Sequence, residues 1–349
     1  MEHIHISKKK PCYPIQPLLR KFLKHYGRDT LLHVSYDELL RFDNTIPLYD
    51  RTGKDTLWQS VLYSQSDFEH LAVALREIYA LLKTGGEITE HLCVDRIDYC
   101  SFGNSKPFRI RIVNQFNDNH DYFYIKQADA SRIYGLELEH ILSPNRISYL
   151  VNLNTLVEEH IAGIPGDMFM QKQMLQKDIN TIRLAKEFVK FNERCFVRLL
   201  GDMRAYNYVV DITPDFEDVH YRIRAIDFDQ QSYEGRKKVY MPQFFKENNP
   251  IVELCIKHLN AESTRQYQLE EQVLMSRRIK ATKHMTKELL DAMMKDEISD
   301  AEKVHQLKHE LAEHYQNKKF EKARSMGEIV KISLTEMIRK NMQHFKRKI

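Results

Sequence analysis

Apolar residues recur at helical spacing through much of the first 90 positions of the chain. Residues 15–26 have the pattern of a short amphipathic helix. Ser66-Asp-Phe-Glu69 resembles a capping box ahead of a longer helix, which runs to the C-cap signal Thr84-Gly-Gly86. The sequence therefore predicts a helical N-terminal extension over residues 1–90.

The pattern changes near residue 95, where strand-like runs replace the helical spacing. Residues 108–113 alternate apolar and basic residues, as a half-exposed strand does, and residues 122–127 predict the next strand. Residues 130–142 predict a helix, and residues 147–153 and 156–161 predict two further strands. With the strand-like run near residue 95 counted as the first, the segment over 91–162 is thus expected to hold about five strands, with one helix after the third.

From residue 163 onward the chain is mainly helical. Residues 174–192 have helical spacing, residues 208–212 and 221–228 predict a pair of strands, and the part after residue 249 is charged helix. The prediction is an α+β fold, in which the helical extension precedes a β-rich segment over 91–162 and a helical segment over 163–349.

Composition narrows the class of protein. Of the 349 residues 42% are hydrophobic and 29% are charged, which is typical of a soluble globular protein. A net charge of +4 suits a polyanion such as ATP without demanding it, and is too small to indicate nucleic-acid binding. The five cysteines form no C-x-x-C pair, and no apolar run approaches the roughly 18–20 residues of a membrane span. We expect a cytoplasmic protein without a membrane partner.

Two short polar motifs carry the candidate chemistry. The first places Asp202 and Asn207 in Gly-Asp-Met-Arg-Ala-Tyr-Asn, and the second places Asp227 in Ile-Asp-Phe-Asp. An Asp and an Asn in one short loop, followed by a second Asp at the end of a strand-like run, is how kinase folds place catalytic and metal-binding groups. The order and the flanking apolar strands are more specific than any of the residues alone.

In these motifs the chain resembles the protein-kinase-like superfamily, which includes protein kinases, aminoglycoside phosphotransferases and related small-molecule kinases. The resemblance covers roughly residues 95–260. It implies a bilobal fold, with a small β-rich N-lobe that contains one helix and a larger helical C-lobe, extended here by helices at both ends. It also implies an ATP- and Mg²⁺-dependent transfer of phosphate to a hydroxyl group.

The resemblance gives a role to each matching position. Asp202 takes the place of the catalytic aspartate that orients or deprotonates the acceptor hydroxyl, and Arg204 that of a cation that steadies the transferring phosphoryl group. Asn207 and Asp227 take the places of the magnesium ligands. Lys126, at the end of an apolar strand, takes the place of the lysine that contacts the α and β phosphates.

The carboxylate partner of Lys126 is expected on the helix over residues 130–142, where Glu137 and Glu139 compete. At about 100° per residue, the apolar positions and His140 define an inward face of this helix. Glu137 falls within that face and Glu139 lies nearly opposite. We therefore predict that Glu137 pairs with Lys126.

The other expected nucleotide contacts are less distinct in the sequence. Gly103 and Ser105 lie where the resemblance places the phosphate-covering loop, which has more glycines in most kinases. Glu159 and Ile161 fall where the backbone would pair with adenine. Asp229 replaces the glycine of Asp-Phe-Gly and is either a second metal ligand or a cap at the start of a loop.

The phosphate acceptor is open between a small-molecule hydroxyl and a protein hydroxyl. Gly201, Asp229 and the absence of an Ala-Pro-Glu element after Asp227 are features of aminoglycoside phosphotransferase-like enzymes or atypical bacterial kinases. They point away from regulated protein kinases of the eukaryotic type.

Two alternatives compete with the enzyme. The chain could be a pseudokinase or nucleotide-binding scaffold that acts on a protein partner through its helical arms, residues 1–90 and 260–349. Nucleic-acid binding through the basic residues 339–348 is a third class, which the small net charge disfavours.

Overall fold

The computed structural model describes residues 10–50, 52–176, 179–215 and 219–346, with side chains up to residue 340. Residues 1–9 of the predicted extension and 347–348 of the basic segment lie outside this range. The chain divides into two compact units. The sheet unit contains Pro11–Ala130 and Ile147–His160; the helical unit contains Lys10, Ser131–Arg146 and the described part of Ile161–Ile349. These boundaries do not coincide with those predicted at residues 90 and 162.

The sheet unit is built on a seven-stranded antiparallel sheet in the order β1-β2-β3-β4-β5-β7-β6. The strands are β1 Asn44–Tyr49, β2 Asp55–Leu62, β3 Leu92–Tyr99, β4 Phe108–Asn114, β5 His120–Gln127, β6 Tyr149–Asn152 and β7 Thr155–Glu159. The helices are α1 Pro17–His25, α2 Tyr36–Leu39 and α3 Gln65–Lys83.

Strand β4 shows why this sheet forms. Phe108, Ile110 and Ile112 point into the core, where they pack in one apolar cluster with residues of α3. The residues between them point the other way, and Arg109 donates to the fully buried Asp98 at 2.7 Å on the neighbouring strand β3. The alternation predicted for residues 108–113 is confirmed, because one face of the strand is apolar and the other is paired with acids.

The prediction of a helical extension is wrong for residues 44–62, which form the hairpin of β1 and β2. Most side chains of these two strands are exposed or half-buried, so the period-two pattern that marks a strand is weak in the sequence. The predicted short helix near residues 15–26 is confirmed as α1.

Helix α3 begins two residues earlier than the predicted capping box. The Ser64 hydroxyl accepts a hydrogen bond from the backbone N–H of Asp67, so that Ser64 and not Ser66 is the N-cap. The end of the helix is where the sequence placed it, with Thr84 as the C-cap.

The helical unit contains the other elements. Its α-helices are α4 Ala130–Leu142, which starts at the last residue of the sheet unit, α5 Gly166–Met168, α6 Thr181–Arg198, α7 Asn249–His258, α8 Ala261–Ala281, α9 Lys283–Met294, α10 Ala301–Tyr315 and α11 Met326–Lys346. A small antiparallel sheet has the order β10-β9-β8, formed by β8 Ile164–Pro165, β9 Tyr208–Pro214 and β10 Val219–Ala225.

Helix α6 is central to this unit and packs against α7, α8 and α11. It starts at Thr181, later than the predicted position 174, because Phe169–Gln173 form a π-helical turn and Asn180 caps the new helix by accepting from the N–H of Arg183. Strand β10 ends at Ala225, so Asp227 lies two residues beyond the strand rather than within it.

All five cysteines are free thiols. Among the described residues, none of the helices is both long and apolar enough to cross a lipid bilayer.

Helices α9 and α11 approach so closely that a side chain at Gly327 would overlap the backbone carbonyl group of Met293. Gly327→Ala should lower the free energy of unfolding by about 1–3 kcal/mol, since overpacking outweighs the better helix propensity of alanine. The control is Lys331→Ala on the exposed face of α11, which should change it by less than about 0.5 kcal/mol. Urea denaturation followed by circular dichroism measures both, and equal values would refute the close packing.

Candidate active site

The loop that carries Asp202 begins where α6 ends. Leu199 adopts a left-handed conformation (φ 59°) and turns the chain out of the helix. The N–H of Gly201 then donates to the carbonyl oxygen of Gln230 at 3.1 Å, and a Cβ at Gly201 would lie only 3.0 Å from Val239 Cγ1. A glycine therefore fits this position because the backbone runs against its neighbours.

Asp202 itself has a positive φ of 57°, a conformation that costs energy for a residue with a side chain. Its N–H donates to the carbonyl oxygen of Val239 at 3.1 Å, which holds the strained backbone in place. The carbonyl oxygen of Asp202 accepts from the N–H of Arg204 at 2.8 Å and from Nδ2 of Asn207 at 2.7 Å. The loop is thus fixed from both sides.

The side-chain amide of Asn207 links the two polar motifs. Because Nδ2 donates to Asp202, Oδ1 points elsewhere, and it has no hydrogen bond to any residue in the described part of the chain. The carbonyl oxygen of Asn207 accepts from the N–H of Ile226 at 3.0 Å, directly before Asp227. One residue therefore connects the loop of Asp202 to the segment of Asp227.

The Asp202 carboxylate lies in a charged but poorly solvated setting. Arg204 Nε donates to Asp202 Oδ1 at 2.8 Å, and Arg204 Nη1 donates to Glu247 Oε1 at 2.9 Å. Burial raises the pKa of Asp202 to about 6 against the pull of Arg204, and the negative charges of Asp227 and Glu247 raise it further. Asp202 and Arg204, the predicted catalytic pair, are therefore brought together.

Asp227 and Asp229 share one cation. Arg132, on α4, is 1% exposed, and its Nη1 donates to Asp227 Oδ1 at 2.8 Å and to Asp229 Oδ1 at 2.7 Å. The N–H of Asp229 also donates to Asp227 Oδ1 at 3.0 Å. The Asp227 side chain is 37% exposed, whereas that of Asp229 is 10% exposed. Asp227 is thus the more accessible carboxylate, and Asp229 is buried against Arg132.

Sequence analysis missed two residues of this arrangement. Arg132 lies in the first turn of α4, on the same helix face as Leu136. The one indication in the sequence that Arg132 is buried was therefore its position as a cation on an apolar helix face. Glu247 lies in a series of short turns between Lys237 and Asn248, where no periodicity marks a buried carboxylate. Its Oε2 is buried, with no hydrogen-bond donor among the described residues.

In the sheet unit, Lys126 forms a buried ion pair with Glu158, whose Oε2 lies 2.8 Å from Nζ. The two residues lie on the paired strands β5 and β7, which bring their side chains together. Sequence analysis missed Glu158 as a partner of Lys126. Glu137 lies on α4 in the helical unit and is fully buried, so its role as a partner of Lys126 stays a prediction.

The assignment of faces on α4 is wrong. Glu139, predicted to point outward, is 4% exposed and forms a buried ion pair with Arg198, whereas His140, predicted to point inward, is only half-buried. The helix is buried on nearly all sides, and on such a helix the apolar periodicity cannot tell one face from another.

The other predicted nucleotide contacts lie in loops and strand ends. Gly103 and Ser105 fall in the turn between β3 and β4, where the N–H of Lys106 donates to the carbonyl oxygen of Gly103. Glu159 Oε1 accepts from the N–H of Ser148 at 2.7 Å within the sheet unit. Ile161 is the first residue of the next segment of the helical unit and is buried.

The oxygen atoms near Asp202 are of the type that magnesium binds in proteins. No group of three His, Cys, Asp or Glu residues that could hold a metal occurs in the described ranges. Magnesium, however, is commonly bound through one or two carboxylates together with phosphate oxygens and water. The Oδ1 atom of Asn207 and the partly exposed carboxylate of Asp227 fit that ligand set.

No protein-family model matches the sequence, and no curated protein is similar enough to be counted as a relative.

The buried guanidinium of Arg132 should be essential to the fold of this site. Arg132→Met should lower the free energy of unfolding by about 3 kcal/mol, because it leaves the carboxylates of Asp227 and Asp229 without their shared cation. The matched control is Arg222→Met on the exposed side of β10, with an expected change below about 0.5 kcal/mol. Chemical denaturation compares the two, and similar losses would contradict the role of Arg132.

Proposed function

We propose that the protein is an ATP- and Mg²⁺-dependent phosphotransferase that transfers the γ-phosphate to a hydroxyl of a small molecule or a protein. The observation that carries the proposal is the hydrogen-bonded chain from Asp202 through Asn207 to Ile226, which connects the residues that the resemblance assigns to phosphoryl transfer. A polar turn that only connected a helix to a strand would need neither the strained backbone of Asp202 nor its desolvated carboxylate.

In this proposal Asp202 accepts a hydrogen bond from the acceptor hydroxyl and takes its proton during transfer. A pKa of about 6 keeps the carboxylate mostly ionised at neutral pH while making it a better base than an exposed aspartate. Arg204 is held by Asp202 and Glu247 on the same side of the loop and supplies positive charge for the transferring phosphoryl group.

Magnesium, when bound, would neutralise negative charge on the phosphates of ATP. Asn207 Oδ1 and Asp227 would hold it, and Asp229 fits the role of a support that keeps Asp227 in place through Arg132. Lys126 and Glu137 are proposed to position ATP, with Gly103, Ser105, Glu159 and Ile161 as its further contacts.

The proposal includes the bilobal kinase-like fold that the resemblance implies. Its support is the run of five strands β3 to β7 with α4 after the third of them, as the resemblance implies. The buried Oε2 of Glu247 supports an acceptor that donates a hydrogen bond beside Asp202, such as a hydroxyl or ammonium group. A cytoplasmic location and a protein partner for the helical arms remain part of the proposal.

A catalytically weak pseudokinase or nucleotide-binding scaffold is the second candidate. Two ion pairs within the chain favour it. Lys126 is paired with Glu158, so a phosphate group must compete with Glu158 for the lysine. Asp227 is paired with Arg132, so a metal ion must compete with Arg132 for the carboxylate.

Asp227→Asn separates the two candidates. If the protein is an enzyme, ATP should raise the melting temperature of the wild-type protein in a Mg²⁺-dependent manner. The wild-type protein should also transfer labelled γ-phosphate to at least one acceptor from a panel of sugars, nucleosides, aminoglycosides and protein. The variant should lose at least about 100-fold in turnover, because a metal ligand is removed. Asp211→Asn on β9 is the control and should leave turnover unchanged. Full activity of Asp227→Asn would exclude the proposed site; a wild-type protein that binds ATP without turnover would favour the scaffold.

The pH dependence of turnover tests the role of Asp202. Because ionised Asp202 is the active form, kcat at saturating ATP should rise with pH, reach half of its maximum near pH 6 and level off at higher pH. Glu247→Gln removes a negative charge that raises the pKa of Asp202, and should shift this acid limb to lower pH. If the acid limb of the pH profile does not move in this variant, the limb comes from another group, such as the ATP phosphate, and not from Asp202.

A further inference from the structure

The helical unit contains a cavity of about 550 Å³ between helices α6, α8, α10 and α11. This volume lies in the range of small-molecule sites, about 300–1,000 Å³. None of the residues placed in the candidate active site lines it. The cavity is therefore a separate feature whose ligand does not depend on the proposed phosphotransferase activity.

Positive charge dominates the described lining of this cavity. Arg265, Arg339 and Lys340 contribute cations from two helices, against the single carboxylate of Glu193. Arg339 is paired with Glu336, and Lys340 lies 4.6 Å from the centre of the Tyr315 ring. Arg265 has no ion pair or hydrogen bond with any described residue, although it lies at the rim of a concave site. Such a set of cations is suited to an anion with more than one negative charge.

The one carboxylate does not cancel this charge. Glu193 is almost completely buried, and its Oε1 accepts from Gln272 Nε2 at 2.6 Å. Burial raises the pKa of Glu193 to about 7, against the hydrogen bond from Gln272, so that a large share of this group is uncharged at neutral pH.

One residue of the lining, Gln243, also has an acceptor that lacks a donor. Gln243 Oε1 is buried and has no hydrogen-bond partner in the described part of the chain. The backbone of Gln243 is fixed, because its N–H donates to Asn192 Oδ1 at 2.9 Å. A buried acceptor without a donor is costly, about 1–3 kcal/mol, and a ligand hydroxyl would remove that cost.

We propose that this cavity binds a small hydroxylated organic phosphate, with its phosphate group at Arg265 and Lys340 and a hydroxyl group donating to Gln243 Oε1. The phosphate accounts for the excess of cations, and the hydroxyl accounts for the buried acceptor. A plain inorganic anion would satisfy only the first of these features.

Isothermal titration calorimetry on the full chain tests the site with glycerol 3-phosphate and glucose 6-phosphate, against inorganic phosphate and glycerol as half-ligands. At least one organic phosphate should bind with a Kd ten-fold or more below that of inorganic phosphate. Arg265→Ala should weaken this binding at least ten-fold, and Arg277→Ala, at an exposed position on the same helix outside the cavity, should leave it unchanged. Absence of binding at millimolar concentration, or equal binding by both variants, would overturn the proposal.

Gln243→Leu distinguishes a binding role from a structural one. It should weaken the organic phosphate at least five-fold and leave inorganic phosphate unaffected, while the melting temperature stays equal or rises because the buried acceptor is gone. A lower melting temperature with unchanged affinity for the organic phosphate would show that Gln243 serves packing alone and would remove the hydroxyl contact from the proposal.

Discussion

The candidate active site depends on one buried cation. The Arg132 guanidinium is almost fully removed from water, so it must be paired, and the carboxylates that pair with it are Asp227 and Asp229. These contacts fix the segment after β10. The hydrogen bond from the N–H of Ile226 to Asn207 connects this fixed segment to the loop of Asp202. The position of a helix in the first half of the helical unit thereby decides where the polar residues of its second half lie.

The same site contains several features that are energetically unfavourable. Asp202 has a left-handed backbone and a desolvated carboxylate, and Glu247 has a buried oxygen without a donor. Such features persist only where the surrounding structure over-determines them, and they are more frequent at functional sites than elsewhere. Together they make the loop of Asp202 a stronger candidate than its composition alone would. They are also compatible with a scaffold that keeps the geometry of a kinase without its turnover.

The helical unit combines two kinds of polar site. Around Asp202 four carboxylates, those of Asp202, Asp227, Asp229 and Glu247, outnumber the two cations that bind them, Arg132 and Arg204. In the cavity beside α8 the cations outnumber the carboxylates and an acceptor is left over. An excess of either sign needs solvent or a ligand of opposite charge, so the two sites differ in the charge of the ligand that they suit.

Local pattern was sufficient to place strand β4, strand β5 and helix α4 along the chain, because a period kept over six or more residues distinguishes a strand from a helix. It also placed Asp202, Arg204 and Asn207 in one loop, since residues so close in sequence cannot lie far apart. The hairpin of β1 and β2 was missed because its half-exposed strands have no clear period.

What only the tertiary structure decided is which charges meet. Glu158 pairs with Lys126 because β5 and β7 are neighbours, Glu139 pairs with Arg198, and Arg132 holds two aspartates from some 95 positions away. A buried charge is stabilised by whichever opposite charge the packing brings within hydrogen-bond distance, and sequence spacing carries no information about that choice. The sequence determined the order of the reactive groups; the packing of α4 and the strands determined their partners.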